Sequence, residues 1–107
     1  MIFDDWRKKS ISEGISKNLL WEYDLSKFDW DDMQVVVMQR VIERGRMDDF
    51  YAAIKIYGGI DNVRRIIKNI PILSPKDINF VCITFDLKKE ELKCYTKAQL
   101  REQLLNS

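Results

Sequence analysis

Histidine is missing from this chain, and with it the side chain that most often titrates, shuttles protons or binds metal near neutral pH. Cysteine is scarce: Cys82 and Cys94 are the whole supply, too few for a disulfide scaffold. Without imidazole, a zinc site would have at most those two thiolates plus carboxylates, an unusual donor set, so no metal is expected. Two reduced thiols suit a cytoplasmic protein. Long apolar runs are lacking too. The most apolar stretch, Ile78 to Phe85, is eight residues long and contains Asn79 and Thr84; a membrane helix needs about 20. The opening Met1-Ile2-Phe3-Asp4-Asp5-Trp6 puts acids and an indole where a signal peptide needs an apolar stretch. Glycine is sparse, and Gly45, Gly58 and Gly59 match neither G-x-x-x-x-G-K-[ST] nor G-x-G-x-x-G, so no nucleotide cofactor is expected. Nor does one charge dominate: 18 Lys and Arg face 17 Asp and Glu, a net charge of +1.

What remains is an ordinary globular mixture, 46% apolar and 33% charged, over 107 residues. That length suits one domain with a core of its own. Residues 1–18 show no sustained apolar period and read as a flexible N-terminal arm; residues 19–107 read as a single helical domain. On that reading, deleting residues 1–17 leaves a folding unit. Leu19-Leu20-Trp21-Glu22-Tyr23-Asp24-Leu25 is a dense lead-in, with Trp21 expected in the core.

Helical periodicity begins after Asp29, a plausible N-cap. Met33, Val37 and Val41 form one stripe, and Val35, Met38 and Ile42 a second, so this helix belongs in the middle of the domain. Gly45 is expected to stop it as a left-handed cap residue. A helix over 47–57 ends at Gly58, and one over 60–70 stops before Pro71. The two align at an offset of 13 residues, Phe50 with Val63 and Ile54 with Ile67, as one helical recipe used twice; a solenoid would need three or more units. Ser74-Pro75-Lys76-Asp77 is the clearest helix start, with Ser as cap, Pro in the first position and Asp in the first turn. A short helix follows through Leu92 to about Tyr95, and Thr96 with Gln99 caps a last one carrying Leu100 and Leu104. No segment alternates with period 2. The chain reads as all-α, a single compact domain of five or six short helices.

Four acidic pairs, Asp4-Asp5, Asp31-Asp32, Asp48-Asp49 and Glu90-Glu91, raise the question of metal or acid–base chemistry. Neighbouring residues on a helix point about 100° apart, so a pair does not converge on one substrate. Three of the four fall in a predicted first turn, where negative charge offsets the helix dipole. Serines and cysteines have no histidine to activate them. Catalysis is not expected.

Charge is arranged more informatively. Residues 1–32 carry five bases and eight acids; residues 33–70 carry seven bases and four acids. Arg40 and Arg44 share one helix face, Arg64 and Lys68 another, and Arg46 lies in the turn between predicted helices. Together they would form a positive patch for phosphate or an acidic protein surface; the plainer alternative is a solvated face with local pairs such as Asp61 with Arg65. A second reading is a helix-turn-helix in the C-terminal half, over Leu73 to Tyr95, with Lys88, Lys89 and Lys93 on a DNA-reading helix. Glu90 and Glu91 on that same helix repel phosphate, which ranks DNA below a protein partner.

Leu19-Leu20-Trp21-Glu22-Tyr23-Asp24, Asp29-Trp30, Glu43-Arg44-Gly45, Tyr57-Gly58 and Leu73-Ser74-Pro75 through Asn79-Phe80 carry a resemblance. Over roughly residues 19–95 the chain resembles a small helical domain of unassigned function from Bacteroides-like bacteria, sometimes encoded beside nucleotidyltransferase-type toxins. The resemblance implies an antitoxin-like accessory protein with a toxin as partner. Its motifs are packing and turn residues, so it assigns no catalytic position.

Overall fold

A helix apolar on two stripes must be enclosed, and α1 (Gln34–Arg44) is. The computed structural model describes residues 3–8 and 14–95. Val37, Met38, Val41 and Ile42 of α1 are buried, and the helix packs on α2 (Met47–Ile56), α3 (Ile60–Lys68), α4 (Pro75–Thr84) and a 3₁₀ turn at Lys17–Leu20. Further 3₁₀ turns lie at Leu25–Lys27 and Lys89–Glu91, helix resumes over 93–95, and no strand occurs among the described residues. The domain is all-α. The helix expected after Thr96 lies outside the described residues.

Local chemistry explains the boundaries. Asp29 caps the turn before α1: its carboxylate accepts from the N–H groups of Asp31 at 3.0 Å and Asp32 at 3.1 Å. Ser74 Oγ accepts from Asp77 N at 3.1 Å, and Pro75 opens α4, as its sequence dictates. Gly45 ends α1 differently from the expectation. Its φ is −74°, extended rather than left-handed, and glycine is needed because a Cβ there would sit 2.5 Å from the Val41 carbonyl oxygen. The left-handed turn is at Gly58 and Gly59, with φ of 82° and 132°, and it reverses the chain between α2 and α3. Across it the 13-residue offset holds in burial: Phe50, Ala53, Ile54 and Tyr57 face inward, as do Val63, Ile66, Ile67 and Ile70.

The segment read as an arm packs on this body wherever it is described. Phe3 has no exposed surface and packs against both Phe50, at 5.2 Å between ring centroids, and Phe85, at 5.6 Å, which lie 6.3 Å from each other. Ile15 is buried, and Ser16 binds the α2 residue Asp49 through both its N–H and its hydroxyl, each at 2.7 Å. A lone Phe and a lone Ile produce no period, which is why pattern reading passes over them; one large ring in an aromatic slot suffices to dock a short segment. Residues 25–33 are held in turn by Tyr57, whose hydroxyl donates to the Trp30 carbonyl at 2.9 Å, and burial pushes that phenol's pKa up.

Asp49 is the one buried carboxylate among the described residues, 3% exposed. Beyond Ser16 it accepts from Arg46 N at 2.9 Å. Burial alone would raise its pKa, but these donors outweigh that and leave it below its ordinary value. A carboxyl depressed in the folded state contributes stability above its unfolded value, and that contribution is lost as pH falls through the folded pKa. Asp49→Asn should therefore lower stability at neutral pH by about 1–3 kcal/mol, since its amide would turn a donor toward another donor. Urea melts from neutral pH down to below 3.8, the ordinary aspartate value, check this: wild type should lose more stability on acidification than the variant. Equal acid losses would remove Asp49 from this role.

Candidate functional site

Three of the five bases of the expected patch are engaged within the fold. Arg40 points its guanidinium at the segment preceding it in sequence: Nη1 donates to the Leu19 carbonyl at 2.9 Å, and Nη2 pairs with Glu22 at 2.6 Å. This bond holds the Glu22 carboxyl below, and the Arg40 guanidinium above, their ordinary pKa values. On α3, Arg64 Nη2 donates to the Asp86 carbonyl at 3.0 Å, and Nη1 lies 3.9 Å from Asp61. Asp86 has a positive φ of 54°, so Arg64 clasps a left-handed turn just after α4. Lys68 sits 3.9 Å from Glu91. Arg40 thus fastens the 19–22 segment, while Arg64 and Lys68 reach toward the chain after α4. Arg44 and Arg46 differ. Both are exposed at the α1–α2 corner, and neither has an ion pair among the described residues.

The C-terminal reading helix is not formed as expected. The turn at Phe85-Asp86-Leu87 exists, but Lys89–Glu91 is a single 3₁₀ turn and Leu92 is extended, with φ −88° and ψ 125°. Helix restarts only at Lys93. Leu92 has no exposed surface, and placing it in the core breaks the helix that Lys88, Lys89 and Lys93 would have shared.

Trp21 supplies what the sequence reading missed. Expected in the core, it is 77% exposed. Leu19 and Leu20 of the preceding 3₁₀ turn take the inward positions, and three large apolar residues in a row cannot all face one way on such a turn. The Glu22–Arg40 bridge then fixes the next residue. Arg44 also favours the ionised Glu22 carboxylate, more weakly than Arg40 does. Met47, the residue after Arg46, is 50% exposed. The run Leu19-Leu20-Trp21 was itself the available signal.

Elsewhere the structure is chemically quiet. Burial raises the thiol pKa of both Cys82 and Cys94, which suppresses the reactive thiolate. Among the described residues no three Cys, Asp or Glu side chains converge to hold a metal ion. No described helix is long and apolar enough to cross a membrane. A cleft of about 400 Å³ at the start of α3 is lined by Trp6, Arg7 and Gly58 but also by Asp61, whose carboxylate opposes an anion there.

Residues 15–67 match a family of unknown function, DUF6922. The match is just under half of the chain; it contains Trp21, Arg40, Arg44, Arg46 and Arg64 and ends before Lys68 and α4. No curated protein and no solved structure matches the chain.

These contacts divide the candidates into residues that hold the fold and residues that do not. Trp21→Ala should leave stability within about 0.5 kcal/mol of wild type, because an exposed side chain has little packing to lose. Arg40→Ala should cost on the order of 1 kcal/mol, through the hydrogen bond to Leu19 and the bridge to Glu22. Thermal and urea melts of the two variants decide it; a Trp21→Ala protein that no longer melts cooperatively would return the indole to the core.

Proposed function

We propose that this chain is a non-catalytic helical protein-interaction module that binds a protein partner through Trp21 and the Arg44-Gly45-Arg46 corner. The observation that carries the reading is the indole of Trp21, 77% exposed and next in sequence to Glu22, whose carboxylate Arg40 binds at 2.6 Å and Arg44 also acts on. Trp and Arg are the side chains that most often dominate the binding energy of an interface. A bridge that fixes the neighbouring residue also lowers the entropy lost when a partner closes over the ring. Arg44 and Arg46 favour a partner surface that places carboxylates around an apolar depression. The absence of histidine and the suppressed thiols support a role without catalysis. The resemblance to bacterial domains encoded beside nucleotidyltransferase-type toxins suggests the finer reading, an antitoxin-like protein of the bacterial cytoplasm whose partner is such a toxin.

Co-expression with the products of the neighbouring genes, followed by affinity purification, tests this directly. Wild type should carry one of them at defined stoichiometry. Trp21→Ala and Arg44→Glu should each weaken that complex at least tenfold while melting like wild type, since hot-spot truncations cost about 2 kcal/mol or more. Unchanged affinity in both variants would remove the surface from the interface. A hundredfold preference for the chain's own upstream DNA over a scrambled duplex, at physiological salt, would favour the regulator reading instead.

A further inference from the structure

At Ser16 an exposed hydroxyl is bonded to a buried charge. The residue is open to water, yet its Oγ donates at 2.7 Å to Asp49, whose carboxylate is 3% exposed. The Ser16 N–H donates to the same carboxylate oxygen, also at 2.7 Å. Backbone dihedrals of φ −54° and ψ 128° hold Ser16 extended, and two residues earlier a Cβ on Gly14 would meet nothing within 4 Å. The hydroxyl is therefore within reach of an enzyme. Directly after it, the 3₁₀ turn at Lys17–Leu20 commits Leu19 and Leu20 to the core. The Arg40 bonds to the Leu19 carbonyl and to Glu22 tie down the other end of this segment. A chemical change at Ser16 thus acts on one of the two polar ties that position Trp21.

We propose that Ser16 is a phosphorylation site, and that its modification releases the 16–22 segment from Asp49 and with it the fixed position of Trp21. A protein kinase supplies the group from a nucleoside triphosphate. The Ser16 oxygen bonds to the terminal phosphorus, the bridging P–O bond breaks, the nucleoside diphosphate leaves, and the hydroxyl proton passes to the kinase's base. The product has an ester oxygen with no proton to donate, so Asp49 loses that bond outright. In its place stands a group of about −1.5 to −2 charge, beside a carboxylate that has little water to turn to. Lys17 and Arg46 offer opposite charge, but both are exposed, where water and salt screen them. Repulsion on the buried side therefore decides the sign, and the segment lets go. Only the consequence for Trp21 rests on the reading of that residue as an interface; the release itself is measured without a partner.

Phosphoserine incorporated at position 16 during synthesis of the full chain is the test, read by amide hydrogen exchange. The Ser16 and Leu19 amides, bonded to Asp49 and to the Ser16 carbonyl, should lose about tenfold or more of their protection. Amides of Val41 and Ile67, inside α1 and α3, should keep theirs. In Asp49→Asn the same modification should cost severalfold less, relative to that variant's own unmodified form, because the repelling charge is gone. Ser16→Gln, which adds bulk without charge, should open the segment less than phosphoserine does. If phosphoserine unfolds the whole chain, Ser16→Asp takes its place in the same comparison. Mass mapping of the chain isolated from its native host should find the phosphoryl group on Ser16. Protection that stays the same or rises, as pairing with Arg46 would produce, overturns the proposal. So does an equal loss in Asp49→Asn, or a Ser16 that carries no phosphate in the host.

Discussion

A carboxylate taken out of water costs several kcal/mol unless donors replace its lost hydration. At Asp49 three do: Ser16 N, Ser16 Oγ and Arg46 N. Two of these come from a residue 33 positions away, so the fold around α2 depends on the Ser16 segment reaching it. Arg46 N is one of the unpaired donors that any helix start leaves, and Asp49 covers it from the third position of its own helix. One side chain thereby closes the beginning of α2 and fixes where the chain enters the domain. Ser16 leads straight into the 3₁₀ turn that buries Leu19 and Leu20 against α1. At the far end of that turn, the Arg40 guanidinium donates to the Leu19 carbonyl and pairs with the Glu22 carboxylate. With both ends of the 16–22 segment tied down and its two leucines committed, Trp21 has no inward position left.

How much of this could be read in advance depended on range. Helix faces are local, and they were legible: Val37 and Val41 on one stripe, Met38 and Ile42 on the other, and the matched inward faces of α2 and α3. Ser74-Pro75 was legible because a cap and a first-turn proline act on their own helix. Trp21 was not, since its fate was set by two anchors, one 33 residues from Ser16 and one 18 residues from Glu22. Gly45 was half legible. That α1 stops there is a local fact, but the reason is contact with the Val41 carbonyl and not a left-handed backbone. Phe3 illustrates the remaining gap: an isolated aromatic has no period, and only the slot formed by α2 and the end of α4 gives it a place.

Three bases of the expected patch have partners within the chain, for a physical reason that bears on function. Helical spacing correctly puts Arg40 with Arg44 and Arg64 with Lys68, yet it says nothing about acceptors arriving from elsewhere in the chain. A carbonyl left without a helical partner after α4, that of Asp86, draws the Arg64 guanidinium. The Leu19 carbonyl, at the end of a 3₁₀ turn, draws Arg40. Arginine is suited to both because its planar fork can serve two acceptors at once. Lysine at either place could satisfy only part of the geometry.

The division has a consequence for reading any charge-reversal experiment on this protein. Reversing Arg40 removes a donor from the Leu19 carbonyl and sets two carboxylates against each other at Glu22, so lost binding would follow from a displaced segment as readily as from a lost contact. Reversing Arg64 frees the turn at Asp86, whose positive φ of 54° needs the surrounding contacts to hold it. Arg44 and Arg46 carry less: each is exposed and without an ion pair among the described residues, Arg44 acting on the Glu22 carboxyl and Arg46 on Asp49 only as lesser influences, and the main-chain bond at Arg46 comes from its N–H and survives a change of side chain. A change in charge at that corner therefore disturbs the fold less than one at Arg40 or Arg64, and Trp21, 77% exposed, is the most exposed aromatic ring among the described residues. An interface built there would draw its affinity from groups the fold has already positioned and does not itself consume.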